Sequence, residues 1–186
     1  FMKIYSNDWR GYNNAGMVLV KQQKAADAKS LFDKAEKLNN NEPIIKNNLG
    51  VCALKEGDLA KAETYFGAAS GAGDAVNNNL GILSIIKGDY NKAVKYLGDS
   101  DSPNTGLAKI LAGDNNGALK SLEGCTWEGC YWKEYFKAVV GARTAKENLM
   151  YESLAAAIKI KPELKKIAAT DMEFAKYFEE AKFKEI

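Results

Sequence analysis

Asn47-Asn48-Leu49-Gly50, continued by Val51-Cys52-Ala53-Leu54-Lys55-Glu56-Gly57-Asp58-Leu59-Ala60-Lys61-Ala62, is the stretch on which the fold is read. The pattern returns 31 residues later as Asn78-Asn79-Leu80-Gly81, followed by Gly88-Asp89 and Lys92-Ala93. A weaker copy stands 34 residues earlier, where Asn13-Asn14-Ala15-Gly16 leads to Lys24-Ala25-Ala26-Asp27-Ala28. Self-similarity at a fixed period of this size marks a stacked-repeat architecture. One such unit cannot bury its apolar face alone, and stacking neighbours supply the missing core.

The spacing within each copy is helical. Ala28, Leu31, Phe32 and Ala35 recur at three- and four-residue steps, as do Leu59, Ala62, Tyr65, Phe66 and Ala69. Asp8 caps a helix predicted from about Trp9 to Gln23, and Lys24 to Leu38 is its partner. Pro43 opens the next helix, where a missing N–H costs nothing. Gly57 ends it in a left-handed cap, and Asp58 starts the partner. Gly71-Ala72-Gly73 breaks that partner, Asp74 to Lys87 and Tyr90 to Leu97 form a third pair, and Asp99 to Pro103 is a turn cluster. Gly106 and Gly113-Asp114 keep the interval of Gly50 to Gly57, with Ala118 and Leu122 in the places of Ala62 and Phe66. This fourth unit is short. A loop over Glu123 to Glu128 precedes a fifth pair, Gly129 to Arg143 and Lys146 to Lys161, in which Ala138 stands for the glycine.

The units therefore fall at about 9–42, 43–73, 74–101, 102–124 and 129–162, within a repeat region 8–162. Over 163–186 the pattern changes to two short amphipathic helices, around Leu164, Ile167 and Ala168 and around Phe174, Tyr177 and Phe178. Their charged outer face is what a terminal cap needs. Residues 1–7 read as the N-terminal edge of a fragment of a longer protein.

Composition narrows the function. Apolar residues are 46% and charged residues 27%, the balance of a folded globular chain. A net charge of +2 gives no electrostatic reason to expect nucleic acid. Histidine is absent, so a His triad, a His proton shuttle and a His-ligated metal are excluded within these residues. No apolar run approaches the ~20 residues that span a bilayer, so this segment is not expected to insert directly. Cys52 reads as a packing residue; Cys125 and Cys130, either side of Trp127, are two ordinary thiols or a disulfide. Two thiolates do not complete a zinc site. Carboxylate pairs such as Glu179–Glu180 lie in polar segments, and no glycine-rich phosphate loop occurs. No catalytic residue, metal or cofactor is expected, and the chain is not expected to be an enzyme.

Gly16, Gly50, Gly81 and Gly106, the Gly-Asp turns at Gly57, Gly88 and Gly113, and the Ala62–Phe66–Ala69, Ala93–Leu97 and Ala28–Phe32–Ala35 stripes resemble the tetratricopeptide repeat. The resemblance covers Asp8 to Pro162 and departs at Lys46 and Asn77, where the family carries an aromatic residue. It implies an all-α fold: a right-handed α-α superhelix of about five helix-turn-helix units with a C-terminal helical cap. It also implies an interaction scaffold that takes a peptide or protein segment in a concave groove. The end Asp171 to Phe178 looks like repeat segments of bacterial cell-envelope proteins. The alternative function is a spacer arm of such an envelope protein, its groove filled internally.

Helical geometry separates a second face from the packed one, and the resemblance implies that this second face lines the groove. With the glycine as zero and 100° per residue, positions three before, one after and four after it cluster on one side. These are Asn13, Met17 and Val20; Asn47, Val51 and Leu54; Asn78, Ile82 and Ile85; Leu107 and Ile110; and Tyr135, Val139 and Ala142. Trp132 lies on the same side, and Lys21 and Lys55 rim it. The expected peptide-binding face is Asn13, Met17, Val20, Asn47, Val51, Leu54, Asn78, Ile82, Ile85, Trp132 and Tyr135. The three asparagines have two readings. Either they clamp the backbone amides of a bound segment, or they bond to the neighbouring repeat. Related domains that grip a C-terminal carboxylate use lysine where Asn13, Asn47 and Asn78 stand, so that grip is not expected. The partner is thus a protein or peptide, with no nucleic acid and no cofactor.

Overall fold

The computed structural model describes residues 7–186, so the expectation for 1–7 lies outside the described residues except at Asn7. Among the described residues the regular structure is helical and no strand occurs. Two compact units divide at Gly88. The first holds α1 (Trp9–Lys21), α2 (Ala25–Leu38), α3 (Pro43–Lys55), α4 (Leu59–Ala68) and α5 (Asp74–Ile86). The second holds α6 (Tyr90–Leu97), α7 (Pro103–Leu111), α8 (Asn115–Gly124), α9 (Tyr131–Arg143), α10 (Glu147–Ile160) and α11 (Leu164–Ala168). A 3-10 segment, Met172–Tyr177, and α12 (Ala181–Glu185) complete it.

The turn between paired helices is the same device throughout. The residue seven after the small residue is left-handed in every pair: Gln23 at φ 61°, Gly57 at 80°, Gly88 at 81°, Gly113 at 88° and Ala145 at 55°. In four pairs the next N–H reaches back five residues, from Lys24 to the Leu19 carbonyl, Asp58 to Ala53, Asp114 to Lys109 and Lys146 to Gly141, at 2.8–2.9 Å. Such a Schellman closure satisfies carbonyls that the helix end leaves open. Asp58 and Asp114 then accept from the N–H three residues on, at 2.9 and 2.8 Å, and cap the partner helix. Ala145 settles the register of the fifth pair, because it places Ala138 seven residues earlier.

The small residue faces the partner helix sixteen residues on. A Cβ on Gly16 or Gly50 would lie 2.5 Å from the ring of Phe32 or Phe66, and one on Gly106 would lie 2.5 Å from Leu122. Phe32, Phe66 and Leu122 are fully buried, each contributing about 1.5–3 kcal/mol of apolar burial. In the fifth pair the closest approach has moved. Ala138 is accommodated, and Gly141 is the tight position, its hypothetical Cβ 2.5 Å from the Met150 backbone nitrogen.

Several predicted boundaries shift for local reasons. α1 stops at Lys21 because Gln23 has already turned left-handed. α9 starts at Tyr131 because Gly129 sits at φ 65°. α8 runs on to Gly124, into the predicted loop. The second capping element is a 3-10 turn, and α12 follows it beyond the two predicted helices.

Candidate interaction face

In the first unit the Asn-Asn pairs bridge successive first helices. Asn48 Nδ2 donates to Asn13 Oδ1 at 2.8 Å, and Asn79 Nδ2 donates to Asn47 Oδ1 at 2.8 Å. Asn13 also directs its Nδ2 at Met17 Sδ, 3.8 Å away. Adjacent residues on a helix point about 100° apart. The first asparagine of a pair therefore faces the following repeat and the second faces the preceding one. Asn13 and Asn47 are 2% and 8% exposed. Of the two readings of these asparagines, this is the bond to the neighbouring repeat: with their side chains buried and their carbonyl oxygens engaged, Asn13 and Asn47 hold repeat to repeat and are not free to clamp a bound segment. Asn78 is half-buried and also has an interaction partner.

The apolar part of the face stays accessible. Met17 is exposed, and Val20, Val51, Leu54, Ile82 and Ile85 are half-buried. Exposed Lys21 and Lys55 close the first two helices of this face. Ile86, at the end of α5, is also exposed.

In the second unit the face divides. Tyr135 is buried, and its hydroxyl donates to Asp171 Oδ2 at 2.7 Å. Its ring meets Phe174 edge-on at 5.7 Å. Burial first, and the Asp171 carboxylate second, push this phenol well above the ordinary tyrosine range. Arg143 joins the same junction, donating from Nε to Glu173 at 2.7 Å and from Nη1 to the Ile110 carbonyl at 2.6 Å. Val139, Ala142 and Ile110 are buried as well. Tyr135 is therefore corrected from binding residue to core residue. The expectation was made on α9 alone, and the 3-10 segment covers that part of it.

Trp132 behaves otherwise. It is 38% exposed and stacks on Phe136, with centroids 5.4 Å apart and planes 16° apart. Its edge meets Tyr135 at 5.7 Å, so the buried tyrosine supports the exposed ring. A hollow of about 370 Å³ opens beside it, lined by Pro103, Asn104, Leu107, Trp132 and Phe136. The sequence marks Trp132 and Leu107. Pro103 reads there as a turn residue. Counting two residues before Gly106 and Ala138 finds Asn104 and Phe136, the same offset that carries Asn48 and Asn79.

Cys52, Cys125 and Cys130 are free thiols, the first two buried. Burial pushes Cys52 up to about 11, which keeps it protonated and inert. Among the described residues no group of three or more His, Cys, Asp or Glu is placed to hold a metal ion. Among them, too, no helix is long and apolar enough to cross a membrane.

A family model for the tetratricopeptide repeat matches residues 10–42. Among solved structures, the chain is similar to YrrB, a TPR protein with an unusual peptide-binding site. That match has 19% identity and a TM-score of 0.58, over 87% of this chain and 91% of that one. It is also similar to a chain of the APC/C hetero-tetramer Cut9–Hcn1. There the identity is 11% and the TM-score 0.78, over 94% of this chain and 38% of that one. At these identities the likeness carries the fold alone. No curated protein matches the sequence.

Proposed function

We propose that the chain, whose residues 10–42 match the tetratricopeptide-repeat model and whose all-α helical-repeat fold is shared with solved tetratricopeptide-repeat structures, is a non-catalytic scaffold seating a peptide segment of a partner protein. The observation that carries the reading is the Trp132 hollow. A half-exposed tryptophan, held rigid by Phe136 and Tyr135 beside 370 Å³ of apolar space, is the composition of an interaction hot spot. Pro103 and Leu107 supply the opposite wall, and Asn104 supplies the one amide there. The rigid aromatic wall loses little side-chain entropy on binding.

The accessible floor of Met17, Val20, Val51, Leu54, Ile82 and Ile85 supports a second seat in the first unit. With its asparagines committed to the fold, recognition there rests on apolar contact, bordered by Lys21 and Lys55. A segment with aliphatic side chains one helical turn or two strand residues apart suits such a floor.

Panning a random peptide library on the protein tests both seats. Peptides selected on the native chain are expected to lose about 30-fold in affinity with Trp132→Ala or with Val51→Glu, the scale of a lost hot spot. Trp132→Phe is expected to keep most of it. Selected peptides that bind both variants as tightly as the native chain, measured by calorimetry, overturn the reading.

A further inference from the structure

The lining of the Trp132 hollow restricts which peptide it can seat. Pro103, Asn104, Leu107, Trp132 and Phe136 line it, and none of the five is ionised. The charged neighbours of Trp132 and Phe136 on α9 are engaged elsewhere. Lys133 Nζ donates to the Cys125 carbonyl at 2.6 Å, and Lys137 pairs with Glu134 at 2.9 Å. A charge buried without a partner is costly, so a neutral stretch of chain suits this seat.

The lining is also poor in acceptors. All five residues lie inside α7 or α9, where their carbonyls are spent on the bonds of the helix. The Asn104 side chain already has an interaction partner. The indole of Trp132 is a donor only, and no hydrogen bond among the described residues uses it. The hollow therefore offers a spare N–H and asks its ligand for a carbonyl. An extended strand would bring an N–H at each residue and leave those N–H groups without acceptors. A helix would arrive with its own carbonyls bonded. Proline has no backbone N–H, and a polyproline II helix makes no internal hydrogen bonds, so its carbonyls stay open. Shape agrees with polarity. Trp132 and Phe136, with planes 16° apart, form a flat aromatic wall on which a pyrrolidine ring can lie. Such a segment is stiff before it binds and loses little entropy on docking against aromatic residues.

We infer that the ligand of this hollow is a neutral, proline-rich segment in the polyproline II conformation. One pyrrolidine ring lies against Trp132 and Phe136, Pro103 and Leu107 close the other side, and a ligand carbonyl accepts from Trp132 Nε1. The inference rests on the reading of the hollow as a peptide seat and specifies its occupant.

Two peptides of equal length test it on the whole chain. One has three Pro-Pro-Leu triplets between terminal lysines, and in the other alanine replaces every proline. Calorimetry is expected to show the proline peptide binding about tenfold more tightly than its counterpart, and about 30-fold more weakly to Trp132→Ala. Nitrogen–proton NMR gives a readout on the native chain. The Trp132 indole N–H, identified as the signal lost in Trp132→Phe, is expected to move downfield on binding while that of exposed Trp127 stays in place. Absence of binding, equal binding of the two peptides, or binding that leaves the Trp132 indole signal unmoved overturns the inference. Panned peptides that depend on Trp132 but lack proline overturn this occupant and keep the seat. If no panned peptide depends on Trp132, the seat itself falls.

Discussion

The two units use one helix position in opposite ways. In the first unit, the residues three and two before the small residue are asparagines, and they bond across successive repeats at 2.8 Å. In the second unit, the corresponding residues are Pro103 and Asn104 in the fourth pair and Tyr135 and Phe136 in the fifth, and of these Pro103, Asn104 and Phe136 line an open, mainly apolar hollow. Where Tyr135 occupies the position, a polar bond returns, now to Asp171 of the cap. Buried amides demand a partner and so specify a register. Apolar residues at the same position make no such demand and leave room beside an exposed ring. A joint bridged by two buried asparagines is thus committed to the fold, whereas the joint with Phe136 at this position leaves a hollow beside an exposed ring.

The sharpest way to break the comparison is at the close approach of paired helices. In α3, Gly50 faces the ring of Phe66, which can give way by a small rotation. In α9, Gly141 faces the Met150 backbone nitrogen and Cα, which cannot move without shifting α10. Gly50→Ala is therefore expected to cost about 1 kcal/mol, because alanine's helix propensity offsets part of the strain. Gly141→Ala is expected to cost about 3 kcal/mol. Urea unfolding of both variants checks the order, and equal costs would mean that the two units tolerate crowding alike.

The polar bonds between successive elements give the next largest effects, and pH separates them. Asn13→Ala leaves the Asn48 amide buried without its acceptor, at an expected cost of about 2 kcal/mol. A double-mutant cycle with Asn48→Ala is expected to recover at least half of it. That coupling is indifferent to pH, since neither amide titrates. Tyr135 differs. Its native phenol is held above the unfolded value, so its contribution is complete below about pH 10 and is lost as pH rises beyond that. Comparing urea midpoints of native and Tyr135→Phe chains between about pH 8 and pH 11 tests the sign. The variant is expected to be less stable at neutral pH and to lose less as pH rises. Parallel curves would remove Tyr135 from the alkaline transition.

What the sequence made legible follows from where each signal lives. The helix pairs were legible because glycine, left-handed turn and buried aromatic residue recur at fixed intervals along the chain. The apolar floor was legible because helical angle alone places Met17, Val51 and Ile82 on one side. Helical angle does not say what stands opposite, and that decided the asparagines: Asn13 finds its partner 35 residues away, and Tyr135 finds its partner 36 residues away. Gly141 was missed because Ala138 occupies the marked position and the backbone contact has moved one turn along. The hollow beside Trp132 was half visible: Trp132 and Leu107 were marked by helical angle, and only packing brings Pro103 and Phe136 to them. α12 is a five-residue helix, too short for periodicity to announce it.

The smallest effects concern the two turns that depart from glycine. Gln23 and Ala145 hold φ of 61° and 55° where Gly57, Gly88 and Gly113 stand in the other pairs. One lies in the first unit and one in the second, so together they test whether the turn is the same device in both. An L-residue in this region crowds its own Cβ against backbone, at about 1 kcal/mol, and glycine does not. A Cβ at Gly57, Gly88 or Gly113 would meet nothing within 4 Å, so the difference there lies in the backbone and not in packing. Gln23→Gly and Ala145→Gly are each expected to stabilise by somewhat under 1 kcal/mol, because glycine also gives the unfolded chain more freedom to lose. The two gains are expected to add in the double variant, since the sites share no partner. A loss of stability at Ala145 alone would mean that its methyl group packs in the fifth pair, and that the turn in the second unit is held by side-chain contact as well as by the backbone bond from Lys146 to Gly141.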